Sequence, residues 1–191
     1  MRSQLPVLET PHLAIRLASI DDVSAIAHYY CENRAFLQAF EPLRPEEFFT
    51  EPFWHAQVEA NLWEFHCKRS FKTFIFKRSD PTRVIGSINL NQIVRGVAQY
   101  CMLGYSLAEA EQGRGYMTEA LREAIAYGFD TLNLHRIMAN YMPHNTRSGK
   151  LLKRLGFIVE GYARDYLMIN GQWEDHILTS LTNPNWNPKS R

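Results

Sequence analysis

Apolar residues recur along the chain with two different periods, and each period predicts one kind of element. Alternation of apolar and polar residues predicts strands, whereas apolar residues three and four positions apart predict helices. The alternating segments are 13–17, 71–77, 84–93, 98–107, 136–142, 157–159, 162–169 and 173–181. The helical segments are 23–30, 32–39, 52–68, 117–132 and 145–155. Ser19 and Asp22 have the spacing of a capping box at the start of the first helix.

The connections between these segments indicate how the strands pair. The three strands between 71 and 107 are joined by short turns, one of them at 79–82, so they are predicted to be antiparallel. The strand 136–142 follows a helix and is therefore predicted to lie parallel to its predecessor. Asn170 and Gly171 predict a hairpin turn. We therefore expect an α/β protein with a mixed central sheet of about seven strands and helices on both faces.

Length, charge and cysteine content narrow the class of protein. The 191 residues are expected to form a single domain (1–191), with its core at about 8–181 and an irregular C-terminal tail. A net charge of +1 indicates no bulk attraction to DNA or to an anionic membrane. The three cysteines match no zinc motif, so we expect neither disulfides nor a metal site. No apolar run approaches the roughly 18 residues of a membrane span and the start lacks a signal-peptide run, so a cytoplasmic protein is expected.

Candidate chemistry begins at a glycine-rich turn between the strand 98–107 and the helix 117–132. Segment 112–117 (QGRGYM) places two glycines one residue apart, which lets the backbone approach a ligand closely. The helix that follows directs its free N–H groups and the positive end of its dipole towards that ligand. Strand, turn and helix together predict an anion site, most often for phosphate. The alternative is a turn that needs glycine only for its dihedral angles.

Two motifs resemble the GCN5-related N-acetyltransferase (GNAT) superfamily. Segments 103–107 (LGYSL) and 112–120 (QGRGYMTEA) are similar to the acetyl-coenzyme A signature of that family. Segment 145–157 (NTRSGKLLKRLGF) is similar to its second half, a helix that begins with N-x-x-S and ends with Gly-Phe. The resemblance covers about 8–181 and implies the GNAT fold.

A narrower resemblance indicates one subfamily. Segments 94–96 (VRG), 135–145 (HRIMANYMPHN) and 165–173 (DYLMINGQW) are similar to the bacterial ribosomal-protein alanine N-acetyltransferases of the RimJ type. This resemblance implies direct transfer of an acetyl group from acetyl-CoA, without a metal, to the N-terminal alanine amine of a ribosomal protein. The implied partner is that N-terminus, met on the free protein or on the assembling ribosome.

The resemblance also implies which residues hold the donor. Pantetheine would pair with the strand at 102–105, the pyrophosphate would sit on the N–H groups of 113–117, and Ser148 would face the sulfur. The implied cofactor-binding residues are Met102, Leu103, Tyr105, Gln112, Gly113, Arg114, Gly115, Tyr116, Met117, Asn145 and Ser148. The candidates on the acceptor side are Glu41, Asn91 and Tyr100.

Acetyl transfer to an amine requires a base for the amine and a proton or hydrogen-bond donor for the leaving thiolate. A protein α-amine has a pKa near 7.7–8.0, so roughly a tenth of it is neutral near pH 7 and a base acting through water is sufficient. The base candidates are Glu41, Glu160 and Asp165, each of which has the alternative of being a solvated carboxylate. Leu152 stands where many relatives carry a tyrosine acid, so Ser148 is the candidate donor to the leaving thiolate.

Two other functions stay open at this point. A small amine, such as a polyamine or an antibiotic, is the alternative acceptor, and it would require several acidic residues at the acceptor mouth. A ribosome-assembly module that binds without catalysis is the alternative of another class. Arg147, Lys150, Lys153 and Arg154 place positive charge along one helix, which is either a solvated face or a contact with adenosine phosphates or ribosomal RNA.

Overall fold

A mixed sheet of eight strands forms the centre of the computed structural model, which describes residues 5–188. The strands are β1 (Val7–Glu9), β2 (Leu13–Arg16), β3 (Phe71–Lys77), β4 (Asp80–Val94), β5 (Tyr100–Leu107), β6 (Arg136–Tyr141), β7 (Ile158–Ile169) and β8 (Gln172–Thr182). Their order across the sheet is β1-β2-β3-β4-β5-β6-β8-β7. The pair β5–β6 is parallel, and the other neighbouring pairs are antiparallel.

Five α-helices within residues 5–188 connect these strands, and each corresponds to a helical segment predicted from the sequence. The helices are α1 (Val23–Glu32), α2 (Arg34–Leu37), α3 (Glu51–His66), α4 (Tyr116–Ala126) and α5 (Thr146–Arg154). Short 3-10 turns follow α2 and precede α1, α3 and α4, and a π-helical turn, Tyr127–Thr131, extends α4. Residues 183–188 form neither strand nor helix, and the last three residues of the predicted tail lie outside the described part of the chain.

The predicted pairing is confirmed, with two corrections to the strands. The antiparallel unit β3–β4–β5, the parallel β6 and the hairpin turn at Asn170 and Gly171 are all present. The sheet has eight strands rather than about seven, because β1 has three residues and is too short to display a period. The predicted turn at 79–82 is wrong, because Asp80 already pairs with Lys77 and begins β4.

The sheet buries a hydrophobic core on each face. On one face, α4 and α5 pack around the fully buried Leu121 and Ile137. On the other face, α1 and α3 pack around Tyr29 and Trp54. Each such side chain contributes about 1.5–3 kcal/mol through burial. The prediction of helices on both faces is therefore confirmed.

The first helix begins with the capping box that the sequence predicts. The Asp22 carboxylate accepts hydrogen bonds from the backbone N–H of Ser19 at 2.7 Å and from its hydroxyl at 2.9 Å. The same carboxylate accepts two hydrogen bonds from the guanidinium of Arg16, at 2.6 and 2.7 Å. Asp22 thereby fixes α1 to the end of β2.

The parallel strands β5 and β6 separate halfway along their length. Three residue pairs join them, of which Met102 and Met138 are the last. Beyond that pair, β5 continues to the glycine turn and β6 continues to α5. The gap between them lies at the carboxyl ends of parallel strands, which is where α/β folds bind their ligands.

Two structural features are not found within residues 5–188. No helix there is long and apolar enough to cross a membrane, and no group of three His, Cys, Asp or Glu side chains is placed to hold a metal ion.

Candidate active site

Two glycines in the left-handed region shape the turn that leads into α4. Gly113 has φ 77° and Gly115 has φ 82°, a conformation that costs residues with a Cβ about 1–2 kcal/mol. Gly115 is the N-cap of α4. A Cβ added to either glycine would meet no atom within 4 Å. The turn therefore needs glycine for its dihedral angles and also leaves open space beside the unpaired N–H groups of the first helical turn.

A cavity of about 640 Å³ lies between this turn, the C-terminal half of β5 and α5. Its volume is in the range of small-molecule sites, roughly 300–1,000 Å³. The residues that line it are Phe36, Leu37, Phe40, Glu41, Tyr105, Ser106, Leu107, Gln112, Gly113, Gly115, Met117, Thr118, Asn145, Arg147, Ser148, Lys150, Leu151 and Arg154.

One wall of the cavity is positively charged. Arg147, Lys150 and Arg154 follow one another at intervals of three and four residues along α5, and all three are exposed. Because these three side chains are exposed and also line the cavity, they are compatible with both alternatives that the sequence leaves for this basic helix, a solvated face and a contact with phosphates. Together with the glycine turn, they fit an elongated ligand that carries several phosphate groups, as coenzyme A does.

A pair of hydroxyl groups lies inside the cavity. Tyr105 Oη and Ser148 Oγ are 2.6 Å apart, although the first is on β5 and the second on α5. The Ser148 N–H donates to Asn145 Oδ1 at 3.2 Å, which caps α5 and fixes Ser148 in its first turn. Burial raises the pKa of Tyr105 to about 12, although the hydrogen bond with Ser148 opposes that rise. The phenol therefore keeps its proton at neutral pH and can donate it to Ser148 Oγ, which leaves the serine hydrogen available to the cavity.

Glu41 contributes a partly buried carboxylate to the cavity wall. Its side chain is 19% exposed, and its Oε2 accepts a long hydrogen bond of 3.4 Å from Arg44. Burial raises the pKa of Glu41, and the nearby Arg44 offsets part of that rise. A carboxyl group with a raised pKa is a better proton acceptor than an ordinary surface carboxylate.

Half of the sixteen predicted site residues come together at this cavity. Eight of them line it: Glu41, Tyr105, Gln112, Gly113, Gly115, Met117, Asn145 and Ser148. Arg114 and Tyr116 line an open depression on the other side of the glycine turn. Met102 and Leu103 lie on β5 at the point where its pairing with β6 ends.

The two remaining acceptor-side candidates lie along the sheet rather than on the cavity wall. Asn91 on β4 is opposite Met102 on β5. Its side-chain oxygen is buried and has no hydrogen-bond partner within residues 5–188. Tyr100 lies at the start of β5, paired with Arg136, five residues before Tyr105. Asn91 is therefore near the strand separation, and Tyr100 is at the far end of the parallel pair.

The structure does not bring two of the predicted base candidates to the cavity wall. Glu160 is directed to Arg136, with which it forms an ion pair and a hydrogen bond. That hydrogen bond lowers the pKa of Glu160, which makes it a weaker base. Asp165 is exposed in an irregular part of β7, where its N–H donates to Asp175 Oδ1 at 2.9 Å. Both carboxylates belong to the β7 side of the sheet edge.

Sequence reasoning missed two features of the site. The contact between Tyr105 and Ser148 joins residues 43 positions apart, and no local pattern predicts it. Phe36, Leu37 and Phe40 form part of the cavity wall. Their apolar character supported the prediction of a helix at 32–39, but it did not indicate that the end of that segment faces a ligand site.

Comparisons with known proteins identify the family of this fold. The family model described as acetyltransferase (GNAT) domain matches residues 12–158. The ribosomal protein uS5-alanine N-acetyltransferase of Escherichia coli (strain K12) is 48% identical over 189 residues, 98% of this chain and 97% of that protein. A ribosomal-protein-S5-alanine acetyltransferase from Vibrio fischeri has a similar crystal structure, with a TM-score of 0.92 and 38% identity, covering 96% of this chain and 100% of that one. RimJ of Mycobacterium smegmatis, solved in complex with CoA-disulfide, shares the fold with a TM-score of 0.84 and 24% identity, over 93% of this chain and 86% of that one. The chain therefore belongs to the GNAT family of acetyltransferases.

Proposed function

We propose that this acetyltransferase transfers the acetyl group of acetyl-CoA to the N-terminal alanine amine of a ribosomal protein. The observation that carries the proposal is a single cavity in which the glycine turn, the open end of the β5–β6 pair and the Tyr105–Ser148 pair meet. The relative from Escherichia coli, which matches nearly the whole chain, is named for this reaction on ribosomal protein uS5. We place the reaction in the cytoplasm, where the acceptor is met as a free protein or on the assembling ribosome.

The donor site follows from the backbone. The N–H groups of 113–117 and the basic side chains of α5 are suited to the diphosphate. On its β6 side, the backbone of 103–105 has no strand partner, so its polar groups are free to bind the pantetheine amides. When bound, acetyl-CoA supplies the thioester carbon that the acceptor amine attacks.

The hydroxyl pair serves the leaving group. A thiol has an ordinary pKa of about 8.5, so a hydrogen-bond donor to the departing sulfur is sufficient and a strong acid is not needed. Ser148 Oγ is that donor, and Tyr105 holds its orientation by donating to the same oxygen. Backbone N–H groups around Met102 and Leu103 are the proposed donors to the oxyanion.

Glu41 is the proposed base among the three carboxylate candidates. It lines the cavity and its pKa is raised by burial, whereas Glu160 is held by Arg136 and its pKa is lowered by that hydrogen bond. Asp165 lies in the outer hairpin, and we propose no direct role for it. Glu41 would take the proton of the α-ammonium group through water, which is a small task for an amine with a pKa near 8.

The acceptor side favours a protein N-terminus over a polyamine. Among the residues of 5–188 that line the cavity, Glu41 is the single carboxylate, whereas a polyamine with several positive charges would require several. We propose no direct contact between the acceptor and Asn91, because its side-chain oxygen is buried and Asn91 does not line the cavity.

The test is acetylation of a synthetic peptide that carries the first residues of Escherichia coli ribosomal protein uS5, followed by mass spectrometry. We expect one acetyl group on the α-amine, no product with the α-blocked peptide, and no comparable turnover of spermidine. Transfer to spermidine but not to the peptide would overturn the acceptor. A protein that binds ribosomal particles equally well before and after Ser148→Ala, and acetylates nothing, would be a non-catalytic assembly module instead.

A further inference from the structure

The hairpin formed by β7 and β8 carries an unusual share of the exposed apolar surface. Half of the large apolar side chains that are exposed within residues 5–188, seven of fourteen, lie on it. They are Ile158, Val159, Tyr162, Tyr166, Leu167, Met168 and Trp173. Residues paired across β7 and β8 share a face, so Val159, Tyr162, Met168 and Trp173 lie on one face of the hairpin and form the hairpin patch, whereas Ile158 and Leu167 lie on the other face.

The backbone of the same hairpin is also available to a partner. β7 is the last strand of the sheet and pairs only with β8, so its outer edge has no neighbouring strand among residues 5–188. Exposed edge strands with apolar side chains are templates for association, and proteins usually cover or blunt them. The hairpin patch and the open edge of β7 are therefore both available to a partner.

The charge of the hairpin distinguishes between possible partners. The segment 158–182 contains four carboxylates (Glu160, Asp165, Glu174 and Asp175) and one arginine (Arg164). Arg136 pairs with Glu160, so this surface has a net charge of −2 in a chain whose net charge is +1. In a two-fold dimer the same patch would face itself and bring these carboxylates together. A basic protein would instead meet opposite charge around an apolar centre.

The hairpin is connected directly to the cavity wall. Its tip residue Asn170 donates its N–H to the backbone oxygen of Glu41 at 2.9 Å, and its side-chain oxygen accepts a hydrogen bond from Gln38 at 2.9 Å. Glu41 lines the cavity. A protein bound along the hairpin would therefore have a short path for its N-terminus to the acceptor side of the site.

We propose that the hairpin patch docks the folded, basic body of the acceptor protein while its N-terminus enters the cavity. This inference rests on the proposed function and extends it, because it assigns part of the acceptor recognition to a surface outside the cavity. The enzyme then prefers the folded protein to a short peptide with the same first residues. The preference is lost when the patch is removed.

The test compares two acceptors of the same wild-type enzyme and its variants: purified Escherichia coli ribosomal protein uS5 and a synthetic peptide of its first residues. Trp173→Ser and Val159→Ser each remove one exposed side chain of the patch. Trp63→Ser is the matched control, because Trp63 on α3 is 55% exposed and Trp173 is 59% exposed. Truncation of an interface tryptophan commonly weakens binding by about tenfold or more. We therefore expect a loss of that size in kcat/KM for the protein with Trp173→Ser, no loss for the peptide, and no loss for either acceptor with Trp63→Ser.

Peptide turnover also reports whether each variant is folded, so a general loss of structure is distinguishable from a docking defect. If Trp173→Ser is unfolded, Val159→Ser gives the same comparison. Equal kcat/KM for protein and peptide in the wild type, or a ratio that no patch variant changes, would overturn the docking inference and leave the proposed function intact. A wild-type dimer that Trp173→Ser converts to a monomer would overturn it in favour of self-association. Acetylation of neither acceptor by the wild type would overturn the proposed function and this inference together.

Discussion

Replacing Ser148 with alanine removes the hydroxyl that donates to the departing sulfur in this account. A hydrogen bond to a charged group contributes about 1.5–3 kcal/mol, and about 1.36 kcal/mol is a factor of ten in rate. We therefore expect kcat to fall about 10- to 150-fold. Tyr105→Phe removes only the second hydroxyl, 2.6 Å from the first. That neutral hydrogen bond contributes about 0.5–1.5 kcal/mol, so kcat should fall about 2- to 12-fold.

The double variant distinguishes a positioning role of Tyr105 from an independent one. If Tyr105 acts through Ser148, its removal has no further effect on kcat once Ser148 is alanine, and the two free-energy losses are not additive. The assay follows release of free coenzyme A at saturating acetyl-CoA and uS5 peptide, near pH 7.5. Tyr127→Phe is the control, since Tyr127 is another half-buried tyrosine whose pKa is raised by burial, and it does not line the cavity.

Two results would refute the reasoning. Losses that multiply in the double variant would show that Tyr105 contributes without Ser148. An unchanged kcat for Ser148→Ala, with acetyl-CoA binding unaffected, would remove Ser148 from the chemistry altogether. Because Tyr105 stays protonated up to a pKa of about 12, the effect of Tyr105→Phe should be the same at pH 7 and at pH 9.

Two further predictions concern stability. A Cβ on Gly149 would lie 2.7 Å from the ring of Tyr141, so Gly149→Ala should lower the free energy of unfolding in urea by about 1–3 kcal/mol. Gly161→Ala is the control, because a Cβ there meets no atom within 4 Å. Equal effects of the two substitutions would contradict the packing of α5 on β6. Burial tends to raise the pKa of Asp22, but the hydrogen bonds from Arg16 outweigh it and the net shift is downward. Asp22 therefore contributes stability above its unfolded pKa of about 3.9 and loses it as pH falls through the lower folded value. Asp22→Asn should lower the free energy of unfolding by about 3 kcal/mol at pH 7 and reduce the dependence of that free energy on pH in the acid range. An unchanged acid dependence would contradict the role of the ion pair with Arg16.

The helices and strands of this fold could be predicted from the sequence, because the periodicity of apolar residues is visible within each contiguous segment. The hairpin before β8 and the helix that Asn145 caps could both be predicted from a few neighbouring positions. The glycine turn that we propose as the diphosphate site could be predicted for the same reason, since Gly113 and Gly115 are one residue apart.

The catalytic side of the site could not be predicted in the same way, because it depends on contacts between distant segments. The gap beside β5 exists because pairing stops at Met102, which is a property of two strands and of the helix between them. Glu41 and Glu160 differ as base candidates because burial raises the pKa of Glu41, whereas the hydrogen bond from Arg136 lowers the pKa of Glu160. Neither the burial of Glu41 nor the pairing of Glu160 with Arg136 can be predicted from the neighbouring residues in the sequence.

The central claim is that the turn at Gly113 and Gly115 holds the diphosphate of the acyl donor. Calorimetric titration of coenzyme A into the wild type and into Gly115→Ala tests it most directly, since alanine at φ 82° is strained by about 1–2 kcal/mol and adds a methyl group where the ligand would lie. The account predicts saturable binding to the wild type below millimolar concentration and at least about tenfold weaker binding to the folded variant. No binding heat from the wild type at millimolar coenzyme A, or equal affinity in the two proteins, would contradict it.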